Sequence, residues 1–392
     1  MGGNIIIHYG EIGLKGKNRP FFERKLVENI KRSLSDQKFT KVKKGYGRIL
    51  VELNDRSSPK QIVQRLQQVF GITNLAVATK AKNDMDAIKS VAQEVLPKRL
   101  KTFRVTARRS NKNFPLDSQE VNEELGGYIL EKRPGAKVNL SHPETNIYVE
   151  IAGEGVFVYS EKLPGLGGLP VGVSGRVVSL LSSGFDSPIA SYRLMKRGAR
   201  VVFAHFHSYP QTDKRSLENV QKIVGLLDQY QSKSKLFLVP FLDIQKEIYA
   251  KAAAPDRVVL YRRMMIRISE IIARQERAEA LVTGDSLGQV ASQTLTNMST
   301  IGEVATMPLL RPLVGLDKEE IMQKARQIGT YDISAQPDED CCSLFVPKNP
   351  NTKTNIADIK KQEEKLAIND LVEKAVESVK IEVVTSLNNK KR

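Results

Sequence analysis

Two clusters in this chain carry residue types that do chemistry. The first, Ser182-Ser183-Gly184-Phe185-Asp186-Ser187, combines hydroxyls, a glycine and a carboxylate. The second, Asp338-Glu339-Asp340-Cys341-Cys342, sets two thiols behind three carboxylates. A hydroxyl- and glycine-rich turn that opens a helix presents unpaired backbone N–H groups. With the helix dipole these bind anions, phosphate above all. Carboxylates beside a thiol raise its pKa and disfavour a resting thiolate. They suit a site that receives a positively charged donor or binds metal with a nucleotide. Structural cysteines usually sit in apolar elements, so a thiol in an acidic loop points to a chemical role.

The flanking residues show what must position the first cluster. Arg176–Leu181 is an apolar, β-branched run of strand length. Pro188 then stands where a helix start tolerates proline, Ile189, Leu194 and Met195 give the helix a buried face, and Gly198 ends it. The unit is strand, loop, helix. It is not a Walker A loop, because no G-x-x-x-x-G-K-[ST] occurs in the chain. The hexapeptide resembles the S-G-G-x-D-S loop of the PP-loop ATP pyrophosphatases, which hold the pyrophosphate of ATP while AMP passes to an acceptor oxygen. Ser183 stands where that family usually has glycine, and serine disfavours positive φ.

From Arg176 onward strands and helices alternate: Arg200–Phe206 strand, Ser216–Tyr230 helix, Lys235–Phe241 strand, Asp256–Arg277 long helix, Ala280–Gly284 strand. A helix is expected to open over Ser286–Thr294. Such alternation means a doubly wound parallel sheet, with ligands at the C-terminal ends of its strands. His205 and Phe206 end one strand. Gly284, Asp285 and Ser286 follow another, and Gln289, Ser292 and Gln293 are expected to start the next helix. Arg263 and Arg267 share a helix face, with Arg262 about 100° from Arg263. An arginine there either reaches bound phosphates or faces solvent. Asp317 with Glu320 makes a capping box for the helix Lys318–Gln327. Ile356–Val379 reads as one amphipathic helix, followed by a strand over Lys380–Val384.

The N-terminal half is different. Ile5–His8, Pro20–Leu34, Lys41–Lys44, Arg48–Leu53, Pro59–Phe70 and Leu75–Lys80 give the order β-α-β-β-α-β of a ferredoxin-like unit. Its first loop, Tyr9–Arg19, holds three glycines and the cations Lys15, Lys17 and Arg19, which suit close approach to phosphates; a solvated loop would carry the same charges. A second α+β unit follows, with helices over Asp84–Leu96 and Asp117–Lys132. Its strands are Thr102–Ala107, Lys137–Leu140, Asn146–Ile151 and Val156–Tyr159. Arg104 lies on the first of these, and Arg108, Arg109, Lys112 and Phe114 follow it. Cations beside an aromatic are what phosphate contact plus base stacking require. Leu163–Ser174, rich in glycine and proline, reads as an interdomain linker.

Bulk properties agree. A chain of 392 residues suggests two or three domains. The net charge is +17, and residues 1–172 hold 29 Lys and Arg against 18 Asp and Glu. That balance points to a polyanionic partner. Two adjacent cysteines exclude a disulfide scaffold and any C-x-x-C metal site made by this chain alone. No run approaches membrane-spanning length and the N-terminus lacks a signal-peptide pattern. A cytoplasmic protein is expected.

The Tyr9–Arg19 loop, the Ser182–Ser187 loop and Asp340-Cys341-Cys342, in that order and spacing, resemble the tRNA 4-thiouridine synthetase (tRNA uracil 4-sulfurtransferase) family over essentially the whole chain. The resemblance implies an α/β and α+β multidomain protein. It has an N-terminal ferredoxin-like domain over 1–58, with a core extending to about residue 80. A THUMP RNA-binding domain over 59–162 and a linker over 163–174 follow. Residues 175–392 form a doubly wound, adenine nucleotide α-hydrolase-like PP-loop domain. Helix Pro59–Phe70 is claimed by both of the first two. The resemblance further implies nucleotide contacts from Leu180, Leu181, Ser182, Ser183, Gly184, Asp186, Ser187, His205, Phe206, Arg262, Gly284 and Gln293. It puts the sulfur on Cys341, makes Asp186 a catalytic residue on the metal or acceptor side, and places RNA contacts at Lys15, Lys17, Arg19, Arg104, Arg108, Arg109 and Lys112. ATP and Mg2+ are the implied cofactors, with no protein side chains assigned as a metal site. The implied partners are tRNA, a cysteine desulfurase as persulfide donor and, for relatives with a role in thiamine thiazole synthesis, a sulfur carrier protein. Long members add a rhodanese domain; the resemblance here is to the short form. If the tRNA-holding and nucleotide sites stand far apart, a homodimer would let one subunit hold what the other modifies. Two other readings use the same residues: a different PP-loop adenylating enzyme, and a non-catalytic tRNA-binding protein.

Overall fold

The computed structural model describes residues 3–337, 341 and 344–385. The chain divides into two units, Met1–Pro170 and Val171–Arg392.

The first unit opens with β1 (Asn4–His8), two 3₁₀ turns in the glycine-rich loop, α1 (Arg19–Ser33), β2 (Lys41–Gly45), β3 (Arg48–Glu52), α2 (Pro59–Leu66) and β4 (Asn74–Ala81). Strand order β2-β3-β1-β4 is that of the expected ferredoxin-like unit. Alternation along β1 sends Ile5 and Ile7 to a core that also takes Leu26 and Ile30 of α1 and Ile62, Val63 and Leu66 of α2. The second half continues with α3 (Met85–Val95), β5 (Thr102–Arg109), α4 (Ser118–Lys132), β6 (Lys137–Val138), β7 (Thr145–Ala152) and β8 (Gly155–Tyr159). The short β9 (Leu163–Pro164) pairs with β4.

β4 belongs to both halves. Residues 74–78 pair with β1 and residues 79–81 with β8. His8 on β1 and Arg48 on β3 are three and four strands from β7 along the ladder, about 14 and 19 Å on a flat sheet. Yet His8 Nε2 stands 2.8 Å from Glu150 Oε1, and Arg48 also binds that carboxylate. The two half-sheets therefore turn their helix-free faces toward each other. Ile6, Leu50, Ala76, Phe157 and Tyr159 fill the fold between them.

The second unit carries a six-stranded sheet ordered β14-β13-β10-β11-β12-β15. Its strands are β10 (Arg176–Leu180), β11 (Arg200–His207), β12 (Ser234–Pro240), β13 (Ala280–Val282), β14 (Leu309–Leu310) and β15 (Lys380–Val384). All pairings are parallel except that of β15 with β12, so the doubly wound sheet ends in one antiparallel edge. Around it lie α5 (Asp186–Lys196), α6 (Arg215–Gln231), α7 (Leu242–Lys251), α8 (Arg257–Gln275), α9 (Leu295–Gly302), α10 (Lys318–Ile328), α11 (Tyr331–Ser334), α12 (Ile356–Glu363) and α13 (Ile368–Glu377). No helix among the described residues is long and apolar enough to cross a membrane.

Several expectations need correcting. The expected single helix Ile356–Val379 is two, α12 and α13; the break lets Leu366 turn into the core. Gln293 stands in a lone 3₁₀ turn, Ala291–Gln293, and not in a helix, because Thr294 caps α9 only after it. α5 starts at Asp186, so Pro188 is its third residue, still within the turn whose N–H groups have no helical partner. Phe114 is buried in the second core of the first unit and cannot stack on a base.

Candidate nucleotide and sulfur site

The C-terminal end of β10 runs into the Ser182–Ser187 loop, and the loop closes on itself. Ser182 N donates to Ser187 Oγ at 2.8 Å, and Ser187 Oγ donates back to Ser182 O at 3.2 Å. The Ser187 hydroxyl thus shapes the loop. Among the described residues no side chain caps α5, which leaves its first N–H groups to an anion. Ser183 is buried and keeps negative φ, so serine in place of glycine costs the loop nothing in backbone strain. The glycine this site requires is Gly284, just past β13. A Cβ there would lie 2.7 Å from Ser187 N and 2.9 Å from Asp186 C. Only a residue without a side chain lets β13 pass this close to the helix start.

One cavity of about 240 Å³ opens here. Of the predicted nucleotide residues, Leu180, Leu181, Ser182, Asp186, Ser187, His205, Phe206, Arg262, Gly284 and Gln293 line it, and so does Cys341. Ser183 and Gly184 do not. Val258, Met265, Ile266, Val290 and Ile301 complete an apolar side that no motif signalled.

The polar groups are held from behind. Arg262 Nη1 donates to Ser292 Oγ at 3.2 Å, and Nη2 pairs with Asp285. Asp285, 3 % exposed, also accepts from Thr283 Oγ1 at 2.7 Å and from Arg311 Nε at 3.2 Å. Burial pushes the Asp285 carboxyl up, but the charge of Arg262 and the Thr283 hydrogen bond outweigh it and hold the group below its ordinary range. Asp186 is different: it accepts from Gln289 Nε2 at 3.0 Å and lies 3.5 Å from Lys318 Nζ. Lys318 escaped the sequence reading, though the Asp317–Glu320 capping box, present as expected, placed it at a helix start. Among the described residues, Gln293 Oε1 is buried with no hydrogen-bond partner.

His205 is 1 % exposed, with Nδ1 2.9 Å from Leu181 O and Nε2 3.4 Å from Ser216 Oγ. Both ring nitrogens serve the fold. His207 is held neutral: burial, then the neighbouring His205, takes its pKa down to about 4. Arg263 and Arg267 both clamp Glu363 across 100 and 96 residues, which removes them from the nucleotide side. Cys341 is buried, and its carbonyl accepts from Gln245 Nε2 at 2.7 Å. Asp338, Glu339, Asp340 and Cys342 lie outside the described residues.

The predicted RNA residues all belong to the first unit. Arg19 is anchored by Glu23 at 2.7 Å between the rings of Tyr9 and Tyr46. Arg104 donates to Leu140 O and Arg109 to Phe114 O. Lys15 pairs with Glu11. Lys17, Arg108 and Lys112 are exposed.

Three family models match the chain. The model of the thiamine biosynthesis protein ThiI matches residues 172–368, that of the ThiI ferredoxin-like domain residues 4–76, and that of the THUMP domain residues 82–161. A probable tRNA sulfurtransferase of Moorella thermoacetica is 47% identical over 379 residues, covering 96% of this chain and 97% of that protein. A second, from Brevibacillus brevis, is 44% identical over 385 residues, covering 97% and 96%. A crystal structure of a 4-thiouridine synthetase in complex with RNA and bound ATP superposes with a TM-score of 0.89 at 36% identity, covering 98% of this chain and all of that one.

Proposed function

The chain belongs to the ThiI family of tRNA sulfurtransferases, and we propose that it uses ATP to activate O4 of a uridine in tRNA, at position 8, and replaces that oxygen with sulfur to give 4-thiouridine. The observation that carries this reading is that one cavity is lined both by the uncapped start of α5 and by Cys341. An anion site and a thiol have a reason to share a space when phosphate leaves from the same molecule that sulfur enters.

In this reading the adenine lies against Phe206, Met265 and Ile266, and the unpartnered Gln293 Oε1 accepts from its exocyclic amine. The N–H groups of the Ser182–Ser187 loop and the Arg262 guanidinium take the phosphates. Uracil O4 attacks the α-phosphorus, the bond to the β-phosphate oxygen breaks, and pyrophosphate leaves with its developing charge held by the loop. Asp186 is the carboxylate that fits a magnesium ion arriving with the nucleotide, since such ions take one or two carboxylates plus substrate phosphates. The chemistry that ion supplies there is to offset phosphate charge.

The terminal sulfur of a persulfide on Cys341 then attacks C4, and AMP departs with the old O4. Freeing the product breaks the S–S bond. A second thiol attacks Cys341 Sγ, leaves a disulfide with it and releases the sulfur on C4. Cys342 is the adjacent candidate for that thiol; an external reductant or a second persulfide are the others. A cytoplasmic cysteine desulfurase is the proposed donor. A sulfur carrier for thiazole synthesis is the second acceptor to test, and a homodimer the arrangement to test for tRNA sharing.

Mass spectrometry of tRNA incubated with the protein, ATP, magnesium and a persulfide source tests the proposal. The expected product is uridine heavier by one sulfur-for-oxygen exchange, with AMP and pyrophosphate released. ADP and orthophosphate as products would overturn it.

A further inference from the structure

We propose that Gln245 is a positioning residue for sulfur transfer: with Ser208 it fixes the peptide after Cys341, so that the sulfur on that residue meets the activated carbon. The inference rests on Cys341 being the sulfur-bearing residue.

α7 buries Ile244, Gln245 and Ile248 against the sheet core. Gln245 is the polar member of that face and is 0 % exposed. Burying an amide there is unfavourable unless its donor and acceptor are both used, whereas a leucine would carry no such cost. Both arms are used. Gln245 Oε1 accepts from the Ser208 hydroxyl, itself 0 % exposed and one residue past β11, and Nε2 donates to Cys341 O at 2.7 Å. The amide orientation follows from its partners, since a hydroxyl donates to the oxygen and a carbonyl can only accept from the nitrogen.

Cys341 stands in a 3₁₀ turn and in no strand, so no sheet ladder fixes its main chain. The other described bond to its carbonyl, from Leu344 N at 3.3 Å, is longer. The Gln245 bridge ties the cysteine to α7 and to the end of β11, the strand that brings Phe206 to the cavity. Gln245 itself does not line the cavity, nor does Ser208. The bridge therefore acts on where the sulfur stands and not on how the nucleotide binds. A displacement of about 1 Å at a reacting atom costs on the order of a hundredfold in rate.

The test separates the two half-reactions in the full chain. Gln245→Leu removes the donor at near-constant volume, Gln245→Glu keeps the acceptor for Ser208 but loses the donor to Cys341, and Ser208→Ala releases the amide oxygen. First-turnover pyrophosphate release from ATP and tRNA is compared with 4-thiouridine formed from a persulfide source. For both Gln245 variants the expected result is pyrophosphate release within about twofold of wild type and a tenfold to hundredfold loss of thiouridine. Ser208→Ala should move the same ratio less. Loss of both products in proportion, or neither, overturns the proposal. If Gln245→Leu melts at assay temperature, the other two variants carry the same comparison. Cys341→Ser is measured alongside: thiolation surviving in that variant overturns the site reading itself, independently of what Gln245 does.

Discussion

The Asp186 carboxylate is suspended between Gln289 Nε2 at 3.0 Å and Lys318 Nζ at 3.5 Å, on the first turn of the helix whose N-terminus faces the cavity. Its side chain is 23 % exposed and belongs to no apolar core, so its removal bears on chemistry and not on folding. Asp186→Asn is expected to abolish both pyrophosphate release and thiolation while the melting temperature stays within a few degrees. Wild-type adenylation by this variant would take Asp186 out of the mechanism.

Cys341 separates the steps in the opposite sense. Cys341→Ala leaves the loop, Arg262 and Asp186 in place. The variant is expected to release pyrophosphate in the presence of tRNA and to form no 4-thiouridine. Activity in Cys341→Ala together with none in Cys342→Ala would move the assignment to the neighbouring thiol.

Gly284→Ala tests the passage of β13 behind the loop. The new methyl would meet backbone atoms of Asp186 and Ser187 at 2.7 to 2.9 Å, and backbone cannot swing aside as a side-chain end can. Over-packing of this sort costs about 1–3 kcal/mol. The helix start should shift away from the phosphates, weakening ATP binding at least tenfold by calorimetry. Unchanged affinity would mean the loop does not hold the nucleotide.

These residues differ in how far the sequence announced them. The Ser182–Ser187 loop was legible because local signals agree: a β-branched run, hydroxyls with a glycine, then a proline. The ferredoxin-like order was legible for the same reason. The fate of Arg263 and Arg267 was not, because their partner Glu363 is about 100 residues away and periodicity carries no information about it. Phe114 looked like a stacking residue from its basic neighbours, yet the fold turns it inward. Lys318 and Gln289 reach Asp186 only once β13 and α10 are laid beside α5. The turning of one half-sheet onto the other at β4 has no local signature either.

That turn supplies a pH prediction. Burial pushes the Glu150 carboxyl up, but His8, Arg48 and the Tyr159 hydroxyl outweigh it and hold its pKa at about 2. A carboxyl depressed in the folded state stabilises above its unfolded pKa, near 4.3, and loses that contribution as pH falls through the folded value. The fold of the first unit should therefore weaken between about pH 4.5 and pH 2. Glu150→Gln, which leaves Arg48 buried beside a neutral amide, should cost about 3 kcal/mol at neutral pH and flatten the acid limb of the stability curve. Denaturant melts across that window read both; an unchanged acid limb would remove Glu150 from the account.

Exposed cations of the first unit should govern tRNA affinity. Lys17, Arg108 and Lys112 are exposed, whereas Arg104 and Arg109 each spend a donor on a backbone carbonyl. A cation already bound within the fold has less to give a phosphate. Filter binding across a salt series should show log affinity falling linearly with log salt, each phosphate contact contributing roughly 0.7 to 0.9 to the slope. Replacing Lys17, Arg108 and Lys112 together by alanine should reduce the slope by about two to three. Arg104→Ala should act more on stability, since it frees Leu140 O. A slope unchanged in the triple variant would put the RNA on another face of the protein.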